Sequence, residues 1–348
     1  MRPSAPRHWV IPFAASQSEP CLLALPRLDA DTALPHLRAL LARLAPLQRW
    51  EGDEYALSMP HERVLGTALG WDTGAGQDGR LPWSAWWAAR DGVNLDTSRA
   101  WALLSPGHWL MGRDHLTVLD PQTLGLDEAA SRAALDALRP FFEEDGWTLV
   151  WGTPTRWYAS HPALDGLPTA SLDRVVGRNP DLWLQDGQAG GTPHPLFKGL
   201  RRLQAEAQML LYNHPLNDAR EAAGLPTVNS FWVSGCGRPP LAPATLPEGT
   251  TLHDDLRASL LSDDLAVWID TWQQLDATVL AEARATLERG EPLLLTLCGE
   301  RHAVTLAPPH PVSGLGPRLK QALRQLGRLG QLGGGRAAPL PSAFLGSL

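Results

Sequence analysis

The sequence predicts an α/β protein built on a largely parallel sheet, and three observations carry that expectation. Short apolar runs bounded by turn residues alternate with stretches of helical periodicity along most of the chain. Of 348 residues, 44% are hydrophobic and 19% charged, enough apolar material for about two ordinary domains. No apolar run approaches the ~18 uninterrupted residues that cross a bilayer, so the alternation describes a core and not a membrane bundle.

Taken in order, the strand pattern falls at His8–Phe13, His115–Asp120, Trp147–Trp151, Asp181–Gln185, Val228–Ser234, Leu265–Asp270, Pro292–Leu297 and His302–Ala307. Helical spacing lies between these runs. Leu34, Leu37, Leu40, Leu41 and Leu44 share one face over residues 31–45, with Asp31 placed as an N-cap. Ala134, Leu135, Leu138 and Phe142 do the same over 127–144, and Leu200, Leu203, Ala207 and Leu211 over 196–212. A further helix fits 272–289. After Glu300 there is no acidic residue, while Arg301, Arg318, Lys320, Arg324, Arg328 and Arg336 are basic. This gives an expected basic amphipathic helix at 316–330, a possible protein-docking surface. Residues 331–348, rich in Gly, Ala and Pro, read as a loosely held tail.

Composition excludes several classes. The 30 basic and 37 acidic residues leave a net charge of −7, which argues against a strongly basic nucleic-acid binder. Cys21, Cys236 and Cys298 are odd in number and widely spaced, so no disulfide framework is expected and a reducing cytoplasm is the default. Arg2 and Arg7 ahead of Trp9–Ala15 imitate a short signal peptide, but Pro12 breaks the run and a buried first strand fits better. The 15 tryptophans are scattered except for Trp83, Trp86 and Trp87, which offer either ordinary packing or an aromatic docking patch.

Several apparent motifs lack the context that gives them chemistry. Gly74–Gly79 spells GxGxxG but has no strand before it and runs into Arg80-Leu-Pro82, so it reads as a loop. His61-Glu62 begins like a zinc HExxH, yet Leu65 stands at the second histidine position. His108, Asp114 and His115 could form a carboxylate–histidine site or a surface feature.

The informative stretch is 211–237. A helix ending in Asn213, His214, Asn217 and Arg220 leads into an extended run and a Ser234-Gly-Cys-Gly237 turn. Asn and Arg side chains beside turn amides suit a phosphate or carboxylate, and suit a plain helix–loop–strand connection equally well.

His214-Pro-Leu-Asn217, Arg220, Gly224, Asn229 and Gly235-Cys-Gly237 resemble the HPxNxxR…G…AN…RGxG run of archaeal-type cofactor-independent phosphoglycerate mutases, members of the alkaline phosphatase superfamily. Leu69-Gly-Trp-Asp72 is similar to that family's LGYDP, Gly79-Arg80-Leu-Pro82 to its GRgP, and Leu34–Leu44 to the helix after its first strand. The whole chain resembles the bacterial RpfE-type regulatory proteins, often described as phosphoglycerate mutase-like. The resemblance implies an alkaline phosphatase-like three-layer αβα core from residues 1–80 and 200–330, with an inserted smaller α/β domain at 81–199. It also implies a ligand-contacting set of Arg80, Asn217, Arg220, Asn229, Gly235 and Gly237.

The departures from the mutase pattern concern chemistry. That superfamily uses two divalent metals and a metal-activated hydroxyl. The metal-binding Asp expected in a DGxGD-like turn after the first strand is missing from Pro12–Ser16. The nucleophile position falls on His61, with Ser58 nearby. Asp270 is kept, but Gln274 and Thr296-Leu-Cys-Gly299 replace the later ligands. The expectation is a catalytically degenerate protein with a regulatory or anionic-ligand-sensing role and no cofactor. The alternatives are an active mutase or phosphohydrolase, with Mn, Zn or Mg held by Asp53, Glu54, Asp270, Asp114 and His115, or a protein–protein scaffold.

Overall fold

A computed structural model describes residues 5–112, 116–183, 195–241, 245–309 and 339–348. Among them eleven strands run in chain order: β1 (Arg7–Ile11), β2 (Ala45–Trp50), β3 (Trp101–Gly107), β4 (Trp109–Met111), β5 (Leu116–Val118), β6 (Thr148–Thr153), β7 (Arg156–Ser160), β8 (Ser230–Gly237), β9 (Thr250–Leu252), β10 (Leu293–Cys298) and β11 (Ala303–Ala307). The chain divides into two units, one from residues 1–54, 60–68 and 246–348, the other from 55–59 and 69–245.

The first unit holds a five-stranded sheet in the order β2-β11-β10-β1-β9. β1 pairs in parallel with β10 (Val10 opposite Thr296) and with β9 (Trp9 opposite Thr251), whereas β11 runs antiparallel to β10 and β2. The sheet is therefore mixed, which corrects the expected largely parallel arrangement. The antiparallel half follows from the short turn Gly299–His302, which can join only antiparallel neighbours. His8, Thr296 and Thr305 form a polar row inside this sheet: His8 Nε2 lies 2.7 Å from Thr296 Oγ1, itself 2.8 Å from Thr305 Oγ1.

The expected strand Leu265–Asp270 is the first part of a helix, Leu265–Leu275. Trp268, Ile269, Trp272 and Leu275 are buried at 3-, 4- and 7-residue spacing, and Asp264 caps the start by accepting the Val267 amide at 3.1 Å. The apolar run that suggested a strand is one helical face. The helix continues through a π turn, Asp276–Leu280, into Ala281–Glu288. That turn places the buried Asp276 carboxylate on the Leu37 and His36 amides at 2.7 and 3.1 Å. It thereby caps the helix Pro35–Leu41, which Asp31 does not.

The second unit is organised around an antiparallel sheet, β6-β7-β3-β8, with a separate β4–β5 hairpin. The helices Glu128–Glu144 and Pro195–Tyr212 supply Leu135, Leu138, Phe142, Leu200, Leu203 and Leu211 to one cluster with Phe231 and Val233 of β8. For that reason residues 200–245 belong with the second unit and not, as expected, with the first. Asp181 sits in a single helical turn, Pro180–Leu182, where a strand was expected. Trp83 and Trp86 are buried and meet edge to face at 5.5 Å, so they pack internally instead of forming an exposed patch. Among the described residues no helix is long and apolar enough to cross a membrane.

Candidate functional site

Ligands of open α/β sheets gather beyond the carboxyl ends of parallel strands, and in the first unit β1, β9 and β10 share such an edge. After β1 the chain turns through Pro12–Ser16. Phe13 there has φ of 58°, the left-handed region that an aromatic residue rarely enters. The turn is held from both sides. The Trp268 and Trp272 indoles donate to the Phe13 and Ala14 carbonyls at 3.2 Å each, and the Ala14 amide donates to the Cys298 carbonyl at 2.9 Å. Backbone strain of this kind persists only where the surroundings over-determine it, and it concentrates at functional turns. The Phe13 ring is buried there, meeting the buried His61 ring at 5.2 Å between centroids.

The opposite side of the edge is closed by the end of the described chain. The helix Pro341–Leu345 is fixed by Ser342, whose amide and hydroxyl donate to Asp29 at 2.9 and 2.5 Å. The Arg301 and His302 amides donate to the Leu348 carbonyl, and Arg49 donates to the Ser347 carbonyl at 2.8 Å. Leu345 and Leu348 are fully buried. A Cβ at Gly299 would lie 2.5 Å from that of Leu348, so only glycine fits beneath it. Residues 339–348 are thus docked, in contrast to the loosely held tail expected; the basic segment 316–330 lies outside the described residues.

This edge does not fit a two-cation centre. Phe13, Ala14 and Ala15 bring no donor, and the Thr296 hydroxyl is engaged by His8 and Thr305. The Glu300 carboxylate accepts the Gln17 amide at 2.7 Å. Cys298 is buried, and burial pushes its thiol up, far from the thiolate that binds metals. Asp270 and Gln274 are exposed on helical surface, Asp53 is exposed, and Glu54 pairs with Arg301 at 3.2 Å. Among the described residues no group of three or more His, Cys, Asp or Glu side chains could hold a metal ion. Asp114 and His115 lie outside the described residues. Their expected partner His108 is engaged by Thr227, whose carbonyl and hydroxyl stand 2.8 and 3.0 Å from Nδ1.

In the second unit the motif residues hold backbone. Ser58 is buried; its hydroxyl accepts the Gly79 amide at 2.8 Å, its own amide donates to Asp78, and its carbonyl accepts from Arg174. Gly79, with φ of +70°, could not carry a Cβ without meeting Leu57 and Thr169. Arg80 is exposed and donates to the Gly166 carbonyl. His214 caps the helix Pro215–Ala222. One turn on, the Asn217 amide bridges the Leu211 and Val228 carbonyls at 2.8 and 2.7 Å and accepts the Val228 amide at 2.9 Å.

Arg220 follows the same pattern. It is 4% exposed and donates to the Pro226 carbonyl at 2.8 Å and to that of Leu124, with burial drawing its pKa down. Asn229 makes a two-point pair with the Trp109 backbone. Gly235 and Gly237 let β8 approach Trp83 and Pro82 to within 2.8 and 2.9 Å of where a Cβ would stand. The 211–237 segment is therefore a helix-to-strand staple in which Asn217, Arg220 and Asn229 are engaged with backbone groups. Sequence reasoning did not anticipate Phe13 as a strained turn residue or the docking of Leu345 and Leu348. The single signal for the latter was Pro341 opening a short apolar run, as helix starts do.

No protein-family model matches the chain, and no curated protein matches it. Among solved structures it is similar to a cofactor-independent phosphoglycerate mutase from Thermoplasma acidophilum DSM 1728, with 12% identity, 89% of this chain and 92% of that chain covered, and a TM-score of 0.35. It is also similar to the PH0037 protein from Pyrococcus horikoshii, with 13% identity, 92% of each chain covered and a TM-score of 0.41.

Proposed function

We propose that this chain is a catalytically degenerate, phosphoglycerate mutase-like protein of the RpfE-type regulatory group, acting by binding and not by phosphoryl transfer. One observation carries the proposal. The carboxyl edge of the first unit's sheet is filled by Phe13 and by Leu348 over Gly299, where a two-metal phosphoryl-transfer site needs charged ligands. Hard and borderline dications require anionic or imidazole donors, and loss of both cations and nucleophile forfeits many orders of magnitude in rate. Ser58, the alternative nucleophile, accepts a backbone hydrogen bond inside a buried loop. Three free, buried cysteines are compatible with a cytoplasmic setting.

Arg80 and Arg220 hold carbonyls and Asn217 is saturated, so a phosphorylated ligand would have to break existing bonds there. The test is elemental analysis of freshly purified protein together with phosphoglycerate mutase and phosphatase assays in Mn, Zn and Mg. The expected result is substoichiometric metal and no turnover above background. Stoichiometric metal with turnover abolished by Ser58→Ala or His61→Ala overturns the proposal in favour of an active enzyme.

A further inference from the structure

In the second unit a cavity of about 180 Å³ opens beside the β4–β5 hairpin, the helix Pro195–Tyr212 and the start of β8. Trp109 and Met111 form its apolar side. Asp181 and Arg201 stand on its lining, both exposed, and among the described residues neither side chain has an ion-pair partner. Ser230 lines it too, and the residue is 6% exposed.

Each feature restricts the occupant. A lone anion would face Asp181 and a lone cation Arg201, so like-charge repulsion disfavours both. A molecule carrying both charges can satisfy the two side chains at once. The volume lies below the roughly 300–1,000 Å³ typical of drug-sized ligands, which favours a small occupant. The apolar side suits a hydrocarbon or aromatic substituent. We infer that this cavity binds a small zwitterion of the free α-amino acid class. Its ammonium meets Asp181, its carboxylate meets Arg201, Ser230 serves a hydrogen bond, and its side chain lies against Trp109 and Met111. This goes beyond the proposal above and stands whether or not the first unit catalyses anything.

The experiment is calorimetric titration and thermal shift on the full chain with L-leucine, L-methionine and L-phenylalanine, each also as its N-acetyl and its amide derivative. At least one free amino acid binds, and capping either end weakens it roughly ten- to a hundredfold, the worth of a charged hydrogen bond. Arg201→Gln then removes the penalty for amidation and Asp181→Asn the penalty for N-acetylation, as expected for specific pairs. Both positions are exposed, so the variants fold. Failure of all three amino acids to bind, equal binding of capped and free forms, or wild-type affinity in both variants overturns the inference.

Discussion

Replacing Arg220 separates a structural role from an anion-binding one. Its guanidinium donates to the Pro226 and Leu124 carbonyls. Hydrogen bonds from charged donors contribute about 1.5–3 kcal/mol each, and a buried acceptor left bare costs about 1–3 kcal/mol. Burial of the cation offsets part of this, as its lowered pKa shows. We expect Arg220→Ala to destabilise the protein by about 3 kcal/mol, a shift large enough to read directly. Arg220→Lys keeps charge and stem but loses the planar fork that reaches two carbonyls at once, so it recovers only part of the loss. The assay is urea unfolding followed by tryptophan fluorescence and far-UV circular dichroism, alongside binding of 3-phosphoglycerate to each variant. A variant within about 0.5 kcal/mol of wild type, the usual range of surface substitutions, that has lost phosphoglycerate binding would refute the structural assignment.

Two further predictions concern the first unit. Burial draws the His8 pKa down to about 4 from 6.5. Its stabilising contribution is therefore complete above pH 6.5 and lost between 6.5 and 4, where the unfolded chain takes the proton first, amounting to about 3 kcal/mol. His8→Leu should flatten the stability profile over that window; because His161, His253 and His302 also have lowered pKa values, the difference from wild type is the quantity to measure. An unchanged slope would show that His8 is not the titrating group. Leu345→Ala removes a fully buried side chain from the docked segment and should cost about 2–5 kcal/mol. Faster hydrogen exchange at the Arg301 and His302 amides, which donate to Leu348, would report the undocking, and unchanged protection there would count against it.

Much of the local structure was legible because it depends on near neighbours in the chain. The helices Glu128–Glu144 and Pro195–Tyr212 follow from one apolar face each, and β1, β10 and β11 from short apolar runs between turns. The six apolar-rich residues Leu265–Asp270 fit both periods, and burial of Trp268 and Trp272 four residues apart decides for the helix. β2, β3, β4, β7 and β9 lie outside the expected runs; Pro46 and Pro106 interrupt β2 and β3, and sheet partners override a weak local preference.

The sequence by itself determined that this chain mixes helices and strands, that His214-Pro-Leu-Asn217 and Arg220 form a distinctive unit, and that Pro12–Ser16 carries no acidic residue. Only the tertiary structure decided what those residues do. Asn and Arg in a helix–loop–strand connection can hold a phosphate or a carbonyl, and the choice depends on which acceptor lies within about 3 Å. For Asn217 and Arg220 the acceptors are the chain's own carbonyls. The filling of the sheet's carboxyl edge by Phe13 and Leu348, likewise, is a contact between residues far apart in sequence, which no local pattern encodes.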